Sequence, residues 1–287
     1  MDKTDLVTPF DSQQVLRNRR RAAANISEHD FLLRNTAAAL VERVHFIAGS
    51  FKRVAEIGSG QNLLRSHLED KLAKDALWLC LDTLKLYKPQ LVCEPESLPL
   101  APACFDLILS NLVLHWINDL PGLLAQVRMA LIQDGVFIAT LFGGTSLAEL
   151  RACLIEAESK LWGGVHPRIA PMLDIREAAA LMQRAGFALP VVDSEHIEVS
   201  YESAWHLMRD LRGMGQNSAL SQRPRTFTPK ALFEEAARIY QKRFTRVDGR
   251  VTAYFEVLTL TGWAPAPTQQ KPLRPGSAQA SLIDALA

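Results

Sequence analysis

An excess of charge of either sign is missing from this sequence: 32 basic residues stand against 31 acidic ones over 287 residues, a formal net charge of +1. So even a balance leaves no global field to draw in nucleic acid or an anionic membrane surface, and neither is expected as a partner. Cysteine is scarce. Cys80, Cys93, Cys104 and Cys153 show none of the paired spacings of a zinc site or a disulfide frame, which favours reduced thiols. No window approaches about 18 consecutive uncharged apolar residues, and the opening MDKTDLVTPFDSQQ has no apolar signal core. These absences predict a cytoplasmic protein with no integral membrane segment. Internal repeats are absent too, as are a Ser–His–Asp arrangement and metal-spaced Cys/His clusters, so no resident metal is expected. The local exception to the even charge is residues 17–21 (RNRRR), which read as a solvated basic helix end.

What is present is the composition of an ordinary globular protein, 48% apolar and 22% charged, in a chain long enough to bury a core without staples. Residues 12–27 and 30–48 read as helices, the second carrying Leu33, Ala37, Leu40, Val44 and Ile47 on one face. Residues 53–57 form a short apolar strand broken by Gly58. Residues 62–72 return to helical spacing through Leu64, Leu68 and Leu72. Strands follow at residues 76–81 (ALWLCL), 105–110 (FDLILS) and 136–142 (VFIATLF), with helices at 120–131 and 146–161. Alternation of this kind predicts right-handed crossovers and a mostly parallel sheet. Farther on come a helix at 175–185, an extended edge segment at 191–199, helices at 203–211 and 229–244, and a β-rich run at 251–260. The last two strands are expected to pair antiparallel with helices in their connection. The Pro- and Gln-rich tail from Ala264 reads as an extended arm.

The most informative segment is VAEIGSGQNLL, residues 54–64: a buried strand carries Glu56 near its end, then turns through Gly58, Ser59 and Gly60. Glycine there lets a ligand approach backbone with no Cβ in the way, and a following helix would present free N–H groups to an anion. Asp82 ends the next strand, where a Rossmann-like fold holds a ribose hydroxyl pair, with Thr83 beside it. Its separation from Glu56 exceeds the roughly 20 residues of a dinucleotide fingerprint, so a longer helix or turn is expected between them. In CEPESLP, residues 93–99, Glu94 or Glu96 can accept from an adenine amino group while Pro95 stiffens the loop. Ser110 and Asn111 close the next strand at the sheet's ligand-binding edge, followed by His115 and Trp116. The last two are either substrate-side groups or packing residues.

Taken together, E-x-G-x-G, a strand-end Asp, EPESLP, FDLILS and LHWINDLP resemble the motif series of class I S-adenosylmethionine-dependent methyltransferases. Within that superfamily the chain most resembles the group of the biotin-pathway malonyl-carrier methyltransferases and the mitochondrial complex I assembly arginine hydroxylase. The second likeness runs through residues 9–11 (PFD), 141–151 (LFGGTSLAELR), 169–171, 184–187 (RAGF), 210–215 (DLRGMG) and 274–277 (RPGS). It implies a Rossmann-like α/β fold with a seven-stranded, mostly parallel sheet and helical insertions, and S-adenosyl-L-methionine as cofactor. The matching site residues are Glu56, Gly58, Gly60, Asp82, Glu94 and the Ser110–Asn111 step. Where such proteins usually have a third glycine this chain has Asn62, which tolerates a left-handed backbone but is expected to crowd the cofactor. With no transit peptide before the PFD motif, a bacterial-type relative is expected.

The expected organisation is an N-terminal helical arm (1–50), a cofactor-binding domain (51–263) with insertions at about 145–164 and 203–243 acting as a substrate lid, and a tail (264–287). The function read from the sequence is methyl transfer to a small-molecule or protein acceptor, with His115, Trp116, Phe142 and Arg151 as substrate-side residues. Two alternatives stand beside it. One is hydroxylation of an arginine in a respiratory complex I subunit, for which His196, Glu198 and His206 superficially match an iron triad but read better as edge-strand residues. The other is a non-catalytic assembly module that keeps the cofactor pocket.

Overall fold

The computed structural model describes residues 8–58, 60 and 62–270. Its frame is a seven-stranded sheet built from β1 (Phe51–Ile57), β2 (Leu72–Asp82), β3 (Leu91–Val92), β4 (Phe105–Asn111), β5 (Leu131–Phe142), β6 (Ala188–Tyr201) and β7 (Val251–Trp263). The order is β3-β2-β1-β4-β5-β7-β6, parallel from β3 through β5, with β7 antiparallel to both β5 and β6. The expected mostly parallel sheet is therefore the observed one, and the closing antiparallel pair does enclose helices in its connection.

The central strands read as continuous apolar runs because both their faces are covered. Val54, Leu107, Leu109 and Ile138 face α2 (Phe31–Phe46) through Ala37, Leu40 and Val44. The alternate residues Ala55, Ile57, Ile108 and Phe137 face α3 (Leu120–Ala130) and α5 (Ile175–Arg184). A further apolar cluster joins α4 (Ala148–Trp162), α6 (Ala204–Gly213) and α7 (Lys230–Phe244) to the opening half of β7 and the closing half of β6. Helix starts follow local chemistry. Asp11 caps α1 (Ser12–Ala22) by accepting the Gln14 N–H, Asp119 caps α3, and Asp174 with Glu177 forms a reciprocal capping box on α5.

One expected element is absent. Residues 62–72 hold two short 3-10 turns, Arg65–His67 and Glu69–Lys71, in place of an α-helix. Leu64 and Leu68 are buried as their spacing suggests, but Leu72 is taken into β2, where it pairs with Phe51. That recruitment leaves the segment too short for a stable helix. Asn62 adopts the left-handed conformation, φ 54°. The segment 274–277 and most of the tail lie outside the described residues. Residues 264–270 fold back onto Asp134, which accepts from Thr268 and Gln269.

Candidate functional site

A cavity of about 390 Å³ opens where β1, β2 and β4 end, under one face of α1. Its floor is the turn after β1. Gly58, at φ 77°, donates its N–H to the Leu81 carbonyl at 2.7 Å, and a Cβ on it would lie 2.4 Å from Val113 Cγ2. Both the backbone angle and the space demand glycine. Gly60 also lines the cavity, while Ser59 lies outside the described residues. Asn62 does not crowd this space: its amide oxygen meets Cys80 Sγ at 3.4 Å, directed towards β2.

Asp82, whose side chain is wholly buried, forms the electrostatic centre of the cavity. One oxygen, Oδ1, accepts the Leu84 N–H at 2.7 Å. Oδ2 accepts the Gly60 N–H at 3.3 Å and pairs with the Arg19 guanidinium at 2.7 Å. Arg19 is one of the basic residues expected to be solvated. It instead points inward from α1 and sits over the Tyr87 ring, 5.7 Å from its centroid. The signal was present in the sequence, since Val15, Leu16, Arg19 and Ala22 share the cavity-lining stripe of α1. Glu56 lines the same cavity and accepts from the Trp78 indole at 3.0 Å; burial pushes its carboxyl up to about 7, against the hydrogen bond.

Thr83, Glu94, Pro95 and Glu96 all line the cavity. Glu94 is exposed, whereas Glu96 accepts the Asn118 N–H at 2.8 Å. Ser110 does not reach the cavity, because its hydroxyl donates to the Ile57 carbonyl and ties β4 to β1. Asn111 lines the cavity with its polar atoms already spent. Its oxygen accepts from Thr36 and Thr140, at 2.7 Å each, and its amide donates to the Leu33 carbonyl.

His115 and Trp116 meet on Gln216, whose amide oxygen lies 2.8 Å from Trp116 Nε1 and 3.0 Å from His115 Nε2. An indole N–H can only donate, so the atom it meets is the amide oxygen. That oxygen can only accept, so Nε2 carries the imidazole hydrogen and Nδ1 is a bare acceptor. Nδ1 is buried with no partner among the described residues, and burial holds the imidazole down to about 4. Trp116 and Gln216 also line a second cavity, of about 610 Å³, bordered by Phe142. Arg151 reaches neither: it donates to the Ala170 carbonyl and borders a smaller hollow. Nor do His196, Glu198 and His206 converge, since they engage Thr145, Arg246 and Glu202 respectively.

Residues 55–139, which carry the Gly58 turn and Asp82, match the family model of the methyltransferase domain. The chain is 33% identical over 266 residues to the mitochondrial arginine-hydroxylase NDUFAF5 of Danio rerio, an alignment spanning 90% of this chain and 83% of that one. It is 29% identical over 282 residues to the malonyl-[acyl-carrier protein] O-methyltransferase of Halorhodospira halophila, spanning 92% and 94%. Among solved structures, the YcgJ protein of Bacillus subtilis superposes with a TM-score of 0.54 at 14% identity, over 81% of this chain and 99% of that one. The phosphoethanolamine N-methyltransferase 2 of Haemonchus contortus, in complex with S-adenosylhomocysteine, gives 0.53 at 14%, over 88% and 59%. Those two likenesses establish the fold, and the extended identity to the Danio rerio protein establishes kinship: the chain belongs to the class I S-adenosylmethionine-dependent methyltransferase superfamily, within the family of the NDUFAF5 proteins.

Proposed function

We propose that this chain is a methyl-transferring enzyme whose first cavity holds S-adenosylmethionine and whose acceptor enters from the second. The single observation that carries the reading is the pairing of a turn with no room for a Cβ at Gly58 with a buried carboxylate, Asp82, facing it. These residues fit the cofactor: Asp82 has the acceptor oxygens for a ribose hydroxyl pair, and the loop of Glu94, Pro95 and Glu96 flanks the place for an adenine amino group. When bound, the cofactor supplies an already activated methyl group, so the protein's part is alignment and exclusion of water. Arg19 holds Asp82 until a ligand replaces it, α1 roofs the cavity, and Trp116 with Gln216 forms the wall facing the acceptor. His115 backs that wall through its hydrogen bond to Gln216, with burial holding its imidazole neutral near pH 7.

The domain reading belongs to the same proposal. Residues 1–50 act as a cap, 51–263 as the cofactor domain, and insertions near 145–164 and 203–243 as the substrate lid. The location proposed is cytoplasmic, supported by four cysteines outside any disulfide. Among the described residues no helix is long and apolar enough to cross a membrane. A heat-shift titration with S-adenosylhomocysteine on wild type and Asp82→Ala tests the core of this reading. Binding stabilises by mass action, so wild type should melt higher with ligand and the variant should not. A variant that responds like wild type would remove Asp82 from the site.

A second reading is favoured by identity to arginine hydroxylases over 90% of the chain. On it, this chain modifies an arginine of a complex I subunit, or aids assembly without catalysis, while keeping the cofactor pocket. Mass spectrometry of a co-purified subunit separates the three outcomes as one added methyl, one added oxygen, or no change.

A further inference from the structure

We infer that the second cavity is built for an amphipathic acceptor with an apolar body and an anionic group, a carboxylate or a phosphate. The inference rests on the methyl-transfer reading only in making this ligand the acceptor. The cavity adjoins the first through the shared wall of Trp116 and Gln216. Its interior is apolar, with Phe142, Leu150, Leu154, Met172, Phe233 and Phe255 forming a bed suited to an alkyl or aryl body.

Its charge is one-sided. Arg21, Arg168, Arg209, Arg212 and Arg223 all line it, and no aspartate or glutamate does. That asymmetry is not inherited from a basic chain, because the whole sequence carries only +1. Two of the five cations are neutralised from behind. Arg168 pairs with buried Glu158 at 2.7 Å, and Arg223 pairs with Asp11 at 2.8 Å. The guanidinium groups of the other three, Arg21, Arg209 and Arg212, have no ion-pair or hydrogen-bond partner among the described residues, and these residues are exposed. Arg209 and Arg212 are three apart on α6, the spacing that puts two side chains on one helix face, so they can close on one anion together. Unpaired cations around a low-dielectric hollow focus a positive potential into it. A free guanidinium entering the same hollow meets like charges and no lining carboxylate to pair with, so the cavity selects against a cationic acceptor.

The test uses tryptophan fluorescence of the full chain, since Trp116 and Trp205 both line the cavity. Octanoate, octyl phosphate, octanol and octylguanidinium are titrated with and without S-adenosylhomocysteine. At least one anion should bind about tenfold tighter than octanol, and octylguanidinium should bind weakest; the better anion identifies the head group. The Arg209→Gln/Arg212→Gln double variant should lose the preference for anions while keeping octanol binding, which also reports that its cavity is folded. Equal binding of octanoate, octyl phosphate and octanol, tighter binding of octylguanidinium, or an undiminished anion preference in the double variant overturns the inference. A heat-shift response to S-adenosylhomocysteine is read separately. Its absence with anion selectivity intact would sink the cofactor reading alone, and its presence with no anion selectivity would sink this one alone.

Discussion

At the scale of single residues, Glu56 and His115 are driven in opposite directions by the same cause. Burial raises the carboxyl from 4.5 to about 7 and lowers the imidazole from 6.5 to about 4, so both are kept neutral. Between about 4.5 and 7 the folded state holds a proton on Glu56 that the unfolded chain has released, and stability falls as pH rises. Between about 4 and 6.5 the unfolded chain holds a proton on His115 that the folded state has released, and stability rises with pH. From 4.5 to 6.5 the two slopes, about 1.4 kcal/mol per pH unit each, cancel. In Glu56→Gln the melting temperature should therefore climb across that window, and in His115→Gln it should decline. A flat profile in both variants would mean that neither group is held neutral. Gly58 gives a second residue-scale expectation. Gly58→Ala should cost about 1–3 kcal/mol, from the left-handed backbone and from Val113 being pushed aside, with weaker S-adenosylhomocysteine binding. Gly164→Ala, with nothing near its Cβ, should melt like wild type and serves as the control.

At the scale of elements, α1 decides how the cofactor cavity behaves when empty. Arg19 neutralises the buried Asp82 and occupies the oxygen that, on the proposed reading, a ribose hydroxyl would use. Arg19→Ala should destabilise the ligand-free protein by about 1–3 kcal/mol, because a buried carboxylate loses its partner. Its ligand-induced shift in melting temperature should be larger than wild type's, since no ion pair has to be displaced. A smaller shift would make Arg19 a ligand contact and not a competitor. The sequence showed the strands well because buried parallel strands are unbroken apolar runs, and β1, β4 and β5 contain such runs. It misled at 62–72, where Leu64, Leu68 and Leu72 have helical spacing but Leu72 belongs to a sheet whose register no local pattern encodes. The place of Asp82 and the Gly58 turn at the cavity was legible because strand-end position is itself local. Ser110 was not, because its hydroxyl serves a bond between strands 53 residues apart in the chain.

At the scale of the whole molecule, the N-terminal segment and the stretch from Met214 to Arg223 form one cap across both cavities, held by contacts that no sequence window could reveal. The Asp11 N–H donates to the Ala219 carbonyl, the Ser221 N–H to the Pro9 carbonyl, and Asn18 to the Asn217 carbonyl. The Phe10 N–H donates to Asn118, anchoring the cap to the loop beyond β4 that carries Trp116. Asp11 joins the two halves, since it caps α1 through the Gln14 N–H and pairs with Arg223. The Arg223 hydrogen bond and then that from Gln14 hold its carboxyl below the usual 3.8, so its contribution is present above that pH and fades in acid. Asp11→Ala should cost about 1 kcal/mol in global stability, the ordinary worth of a helix cap. Its larger effect should be kinetic. In hydrogen exchange, residues 12–22 and 214–223 should lose protection together while β1, β4 and β5 keep theirs, and S-adenosylhomocysteine should dissociate faster. If α1 alone loosens and residues 214–223 stay protected, the two segments are separate lids, and the wall at Gln216 does not depend on the N-terminal helix.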